Sequence, residues 1–149
     1  FIINKPLIDV NVGTIWANLG YEKKNIRSAS EDVFIGGPLA SNAMFVIHSP
    51  EYFIDKKTIK VCEEISVTGT KEITDDIQKG QGPRKLLFLL GYSGWAPGQL
   101  EDEIMRDSWF VSEKIENLIF GVDYQSKWSE ALFLIGIDPS KLSSYAGSS

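Results

Sequence analysis

The residue types that could do chemistry crowd into one stretch, Gly91-Tyr92-Ser93-Gly94-Trp95-Ala96-Pro97-Gly98-Gln99-Leu100-Glu101. It follows the apolar run Leu86-Leu87-Phe88-Leu89-Leu90 and leads into the acidic stretch Glu101-Asp102-Glu103. Strand, glycine-rich loop, helix is the layout of many nucleophile and phosphate sites, so both chemistries can be tested against the spacing. A nucleophile elbow G-x-S-x-G needs a glycine two residues to each side of the serine. Gly91 meets that requirement for Ser93, but Trp95 stands where the second glycine belongs. A Walker loop ends in Gly-Lys-Ser/Thr to hold phosphate and magnesium, whereas this one ends in Gly98-Gln99. Glu101, Asp102 and Glu103 suit the positive end of a helix and would repel a phosphate placed there. What the loop does offer is Tyr92 and Trp95, two aromatic faces beside free backbone N–H groups, suited to a ligand or a partner. A tight strand-to-helix turn is the plain structural alternative.

Outside the loop the reactive inventory is short. His48 is the only histidine and Cys62 the only cysteine. Zinc sites usually need three or four ligands, and these two do not make a set, so no metal and no cofactor is expected. Glu63 and Glu64 beside Cys62 disfavour a thiolate. His48 closes a β segment ahead of Ser49-Pro50 and reads as a hydrogen-bonded histidine at a strand end. The enzymatic alternative makes it a base, with Glu101 as acid or orienter. Gly36-Gly37-Pro38 supplies turn geometry, and a backbone so open can also admit a ligand.

Several elements must position these residues. Phe1-Ile2-Ile3 reads as a strand that leaves its ladder at Asn4-Lys5-Pro6. Val12, Ile15, Trp16 and Leu19 recur at helical spacing, with Asn11 as cap and Gly20 as terminator. Residues 21 to 31 are polar loop. Val33–Ile35 and Met44–His48 flank Gly36-Gly37-Pro38 and predict a long hairpin. Thr58–Val61 and Ile65–Thr68 are further β segments. Thr70 can cap a helix carrying Ile73 and Ile77 and stopped by Gly80. Leu86–Leu90 is a strand buried on both faces. Trp109-Phe110-Val111 predicts a short strand, and Trp128, Ala131, Leu132 and Ile135 a helix, which Phe133 and Leu134 widen to more than one covered side. Trp16, Trp109 and Trp128 are expected in the core and Trp95 in a loop. Asp138-Pro139 starts one last turn, and Ser143 to Ser149 should fray. Strands and helices mix without a regular βαβ beat, which is α+β.

Composition excludes several classes. The chain has 149 residues and a net charge of −5, fitting one domain, residues 1–149. Its acidic balance argues against strong binding to DNA, which depends on neutralising phosphates; the basic groups at Lys23-Lys24 with Arg27 and at Arg84-Lys85 are solvated loops. No apolar run approaches the roughly 20 residues that span a bilayer. Without a disulfide framework or a secretory pattern, a cytoplasmic protein is expected.

Five segments in register are similar to the bacterial AlgH/YqgE family: Asn4-Lys5-Pro6-Leu7, Gly36-Gly37-Pro38, Phe45-Val46-Ile47-His48-Ser49, the Gly91–Glu101 loop, and Leu134-Ile135-Gly136-Ile137-Asp138. The resemblance covers essentially the whole chain. It implies an α+β fold with a bifurcated, mostly antiparallel sheet, part of which closes into a small barrel, with helices packed around it. It also carries the family label of transcriptional regulator. Two departures stand out. Family members have a segment before the Asn-Lys-Pro strand, so an upstream segment is expected to be missing here. Position 93 is usually alanine and is Ser93 in this chain. The reading that results is a non-enzymatic regulatory module that binds a protein partner or small ligand through Gly36, Gly37, Pro38, His48, Tyr92, Trp95, Gln99 and Glu101. A hydrolase or transferase using His48 and Glu101 is the alternative.

Overall fold

Pro6 opens the first strand; it does not end one. In the computed structural model, which describes residues 1–18, 31–113 and 116–142, β1 (Pro6–Asn11) is an edge strand antiparallel to β2 (Asp32–Ile35). At the first residue of an edge strand the missing N–H of proline costs nothing, because no ladder bond needs it. Phe1-Ile2-Ile3 is not a strand, although the Ile2 N–H donates to the Gly36 carbonyl at 2.8 Å. The expected strand is thus displaced past the proline. An irregularity interrupts the β1 register between Pro6 and Asn11, where Asp9 takes a φ of 59°, the signature of a bulge that blunts an edge.

The chain divides into two compact units, Phe1–Ser93 and Gly94–Ser149. The first holds a six-stranded sheet of order β1-β2-β6-β3-β5-β4, completed by β3 (Leu39–His48), β4 (Thr58–Lys60), β5 (Ser66–Thr68) and β6 (Leu86–Tyr92). β2 and β6 are parallel and every other pair is antiparallel. The predicted β2–β3 hairpin does not form, because β6 lies between its two arms. Leu86–Leu90 has apolar side chains for both faces of the sheet, so a central position between two neighbours is where it buries most. Phe88 and Leu89, which point to opposite faces, are both fully buried. The sheet is open, and the expected small barrel is not present among the described residues. Its edges are the bulged β1 and the three-residue β4, which offer too short and irregular a ladder to close on one another.

Two helices finish the core of this unit. In α1 (Val12–Asn18) the Asn11 side-chain oxygen accepts from the Thr14 N–H at 2.9 Å, the expected cap. Val12 and Trp16 are fully buried; Leu19 and Gly20 lie outside the described residues, as do Lys23, Lys24 and Arg27. In α2 (Lys71–Gln78) Ile73 and Ile77 face inward and Gly80 ends the turn at a φ of 74°. Thr70 holds the N-cap position in extended conformation but makes no side-chain capping bond. Val12, Trp16, Val33, Val46, Ile73, Ile77 and Phe88 form one core cluster, with Trp16 edge-on to Phe88 at 5.8 Å.

The second unit is helical: α3 (Gln99–Met105), α4 (Glu116–Phe120), α5 (Lys127–Leu134) and α6 (Pro139–Leu142). α4 has no counterpart in the sequence reading. Carbonyls near its C-terminal end and just past it are gathered by the buried Lys127 ammonium, which donates to Leu118 O at 2.9 Å, to Ile119 O, and to Val122 O at 2.8 Å, so that all three of its donors are used. Trp109-Phe110-Val111 is an exposed irregular segment and not a strand. Trp109 and Trp128 are 49% and 53% exposed, so neither is core. Phe133 and Leu134 are exposed as well, and α5 is covered on one side only. Leu132 is the one buried large hydrophobic among the described residues of this unit. The four short helices, with no strand among the described residues of this unit, enclose too little volume to hide more. Among the described residues no helix is long and apolar enough to cross a membrane.

Candidate functional site

Apart from Glu101, the sequence-derived candidates fall in three settings. The first is the corner where the end of β2 meets the end of β6. Gly36 donates its N–H to Leu90 O at 2.8 Å. A Cβ at Gly36 would lie 2.3 Å from the Gly91 carbonyl oxygen, and one at Gly37 would lie 2.2 Å from the Tyr92 carbonyl carbon. Gly91 itself has a φ of 72°, and a Cβ there would lie 2.5 Å from Gly37 O. The glycines are therefore needed for contact between two stretches of the protein's own backbone. Pro38 is exposed, and Tyr92 lies edge-on to Phe45 with its ring centroid 5.7 Å away.

The second setting is His48, at the end of β3 with 0% exposure. Its Nδ1 lies 2.9 Å from Ser49 O, and its Nε2 lies 2.9 Å from Thr68 Oγ1. A carbonyl can only accept, so Nδ1 carries the proton and Nε2 is the acceptor. Polarity then runs one way. The Ile54 N–H donates to Thr58 Oγ1 at 2.9 Å, and the Thr58 hydroxyl donates to Thr68 Oγ1 at 2.8 Å. The Thr68 hydroxyl in turn donates to Nε2. Every member is satisfied by a neutral imidazole. Protonating Nε2 would reverse Thr68 toward Thr58 and leave the Thr58 hydroxyl proton without its acceptor. Burial accordingly lowers the His48 pKa, against opposing contributions from the Ser49 carbonyl and the Glu51 charge. Glu51 itself is held down at about 2. Burial alone would raise it, but the Arg84 N–H at 2.7 Å and the Ser49 hydroxyl at 2.8 Å both donate to Oε1 and outweigh that. A fully buried ring with both nitrogens engaged has no lone pair for a substrate. His48 ties three strands together, and Glu101, in the other unit, is an exposed residue of α3.

The third setting lies wholly in the second unit and centres on a residue the sequence reading passed over. Glu103 Oε2 accepts from Trp109 Nε1 at 2.7 Å and from Trp95 Nε1 at 3.1 Å, while Oε1 accepts from Gln99 Nε2 at 2.9 Å. Gln99 Oε1 accepts in turn from the Ala96 N–H at 3.0 Å, and the Gln99 N–H donates to Ala96 O at 3.0 Å. The two indoles meet edge to face, with centroids 5.9 Å apart and planes at 77°. Trp95 remains 36% exposed. Three donors, the Trp109 N–H foremost, keep the Glu103 carboxyl below its ordinary pKa, so it is ionised at neutral pH. Gln99 links the loop to the carboxylate. The sequence did contain a signal for Glu103, since Gln99 and Glu103 are i, i+4 on one helix face. Nothing in local spacing ties that face to a tryptophan beyond the helix. Ser93 is half-buried and makes no elbow, and among the described residues no group of three histidine, cysteine or acidic side chains is arranged to hold a metal ion.

With this geometry in view, comparison with known proteins decides the family. The AlgH-like family profile matches residues 1–140. The chain belongs to the AlgH-like family. Relatives include a UPF0301 protein of Ruegeria pomeroyi, 39% identical over 146 residues that make up 98% of this chain and 79% of the relative. Another, from Methylobacterium nodulans, is 38% identical across 98% of this chain and 72% of its own length. The solution structure of AlgH from Pseudomonas aeruginosa is similar at a TM-score of 0.76 and 27% identity, covering 99% of this chain and 77% of that one. A crystal structure of the protein DIP2367 from Corynebacterium diphtheriae shares the fold at a TM-score of 0.61 and 17% identity, covering 86% of this chain and 67% of that one.

Proposed function

We propose that this AlgH-like protein is a non-enzymatic, cytoplasmic regulatory module that acts by binding a protein partner, with the Gly91–Glu101 loop and its extension to Trp109 as the contact surface. The observation that carries this reading is the Glu103 clasp. Two exposed tryptophans are normally free to collapse or to sample rotamers, yet here both indoles are hydrogen-bonded to one carboxylate. Fixing an aromatic anchor before binding removes part of the ordering cost of association, and tryptophan is among the commonest residues to dominate an interface. The engaged ring nitrogens of His48 count against a catalytic role for it. The regulatory label of the family fits action through a protein partner better than action on DNA, given the acidic balance of the chain.

The test is affinity capture from the native cell with the wild-type chain and with Trp95→Ala, alongside thermal unfolding of both. The expected result is a partner retained by the wild type and lost by the variant at nearly unchanged stability. Equal retention by both would overturn the assignment of this surface.

A further inference from the structure

The two units carry very different charge. Residues 1–93 contain eleven acidic and eleven basic side chains, while residues 94–149 contain nine acidic and four basic ones. The whole net charge of −5 therefore belongs to the second unit. One of its four cations, Lys127, is buried against backbone carbonyls and adds little to the surface. The exposed indoles of Trp95 and Trp109 belong to this same unit, set at 77° around Glu103. Glu101 and Asp102 stand on the same short helix as Glu103, and Asp107 follows it.

An indole face carries negative electrostatic potential and attracts a cation lying within about 6 Å of the ring centroid. Both indole N–H groups, the positive edges of the rings, are already turned inward onto Glu103. What the pair offers outward is ring surface, backed by an ionised carboxylate. An acidic ligand would meet repulsion there, and a neutral one would gain nothing from the surrounding charge. A planar guanidinium can stack on an indole while its N–H fork reaches a carboxylate, which a compact ammonium does less well.

We propose that the Trp95–Trp109 corner is a docking site for a basic segment of a protein partner, an arginine side chain stacking on the indoles amid the acidic surround. This rests on the partner-binding reading above and names its chemistry. Arg106 is exposed and its positive charge acts on Glu103, so removing it should favour an incoming arginine.

The experiment uses fluorescence polarisation of three labelled nonapeptides of alternating glycine with arginine, lysine or glutamate, titrated with the full chain. The arginine peptide is expected to bind most tightly, the lysine peptide more weakly and the glutamate peptide not at all, with affinity falling as salt rises. Trp95→Ala and Trp109→Ala should each weaken arginine-peptide binding roughly tenfold. Trp95→Phe should keep part of it, because a ring face remains. Glu103→Gln should weaken it several-fold, and Arg106→Ala should strengthen it. Binding of the arginine and glutamate peptides alike, or binding indifferent to both tryptophans in variants with wild-type circular dichroism, would overturn the inference. So would displacement of the peptide by micromolar spermine, which would make the site one for a small cation. A natural partner captured through Trp95 but not displaced by the arginine peptide would overturn the arginine chemistry while leaving the partner-binding function standing.

Discussion

The His48 string and the Glu103 clasp are built from the same kind of hydrogen bond and do opposite things. In the first unit, Thr58, Thr68 and His48 pair with one another so that polar atoms can be hidden between strands. In the second, Gln99 and Glu103 pair with indoles so that apolar rings can be kept outside. A large sheet core can absorb polar groups once they are satisfied. A set of short helices has little such interior, the Lys127 ammonium being the buried polar group there, and the bonds of Gln99 and Glu103 serve to orient what stays exposed. Tryptophan marks the contrast: Trp16 is sealed against Phe88, while Trp95, Trp109 and Trp128 are open to solvent.

The contrast breaks first if the two classes of tryptophan behave alike. Trp16→Ala should cost about 3–5 kcal/mol of unfolding free energy, whereas Trp128→Ala should cost less than about 1 kcal/mol, both read from urea midpoints. Similar losses would mean that burial does not separate the units. Thr68→Val comes next, with an expected cost of about 1–3 kcal/mol, because it strips His48 Nε2 of its donor and Thr58 of its acceptor in a buried place.

Acid should then sharpen the picture in two stages. The His48 pKa lies below its ordinary 6.5, so below that pH the unfolded state takes up a proton that the folded state refuses. Stability is full above about pH 6.5 and declines as the pH falls. The Glu51 carboxyl, lowered from 4.5 to about 2, adds a second decline between those values for the same reason. Chemical denaturation across this range should show both, and His48→Gln should remove only the upper one. The smallest effect belongs to Ser93→Ala, within about 0.5 kcal/mol and without loss of partner capture. A marked loss of binding there would draw Ser93 into the contact surface.

Much of the fold was legible where a local pattern decides the outcome. The Val12–Trp16 stripe, the Asn11 cap, the inward Ile73 and Ile77 and the central β6 all follow from spacing and side-chain type. So does a hydrogen-bonded His48. The topology was less accessible. Whether β2 pairs with β3 or admits β6 between them depends on a strand some forty residues onward, and no local period records that choice. Closure into a barrel was foreseen through family likeness alone, and the short edge strands do not deliver it. For the candidate site the limit was different. A tryptophan advertises apolar area but not what will cover it, so Trp109 and Trp128 read as core until the thin helical unit leaves them bare. Glu103 looked like one more acid in a first helical turn because its two indole partners lie outside α3, Trp95 before it and Trp109 after it.

The buried Lys127 ammonium gives the second unit a built-in reporter. An amine with all three hydrogens bound to Leu118, Ile119 and Val122 carbonyls cannot attack an acylating reagent until those bonds open. Its rate of labelling, followed by peptide mass, therefore measures how often the α4–α5 connection comes apart. Exposed lysines such as Lys56 and Lys60 in the other unit set the unprotected rate. A partner that seats on the second unit should slow the modification of Lys127 without touching it.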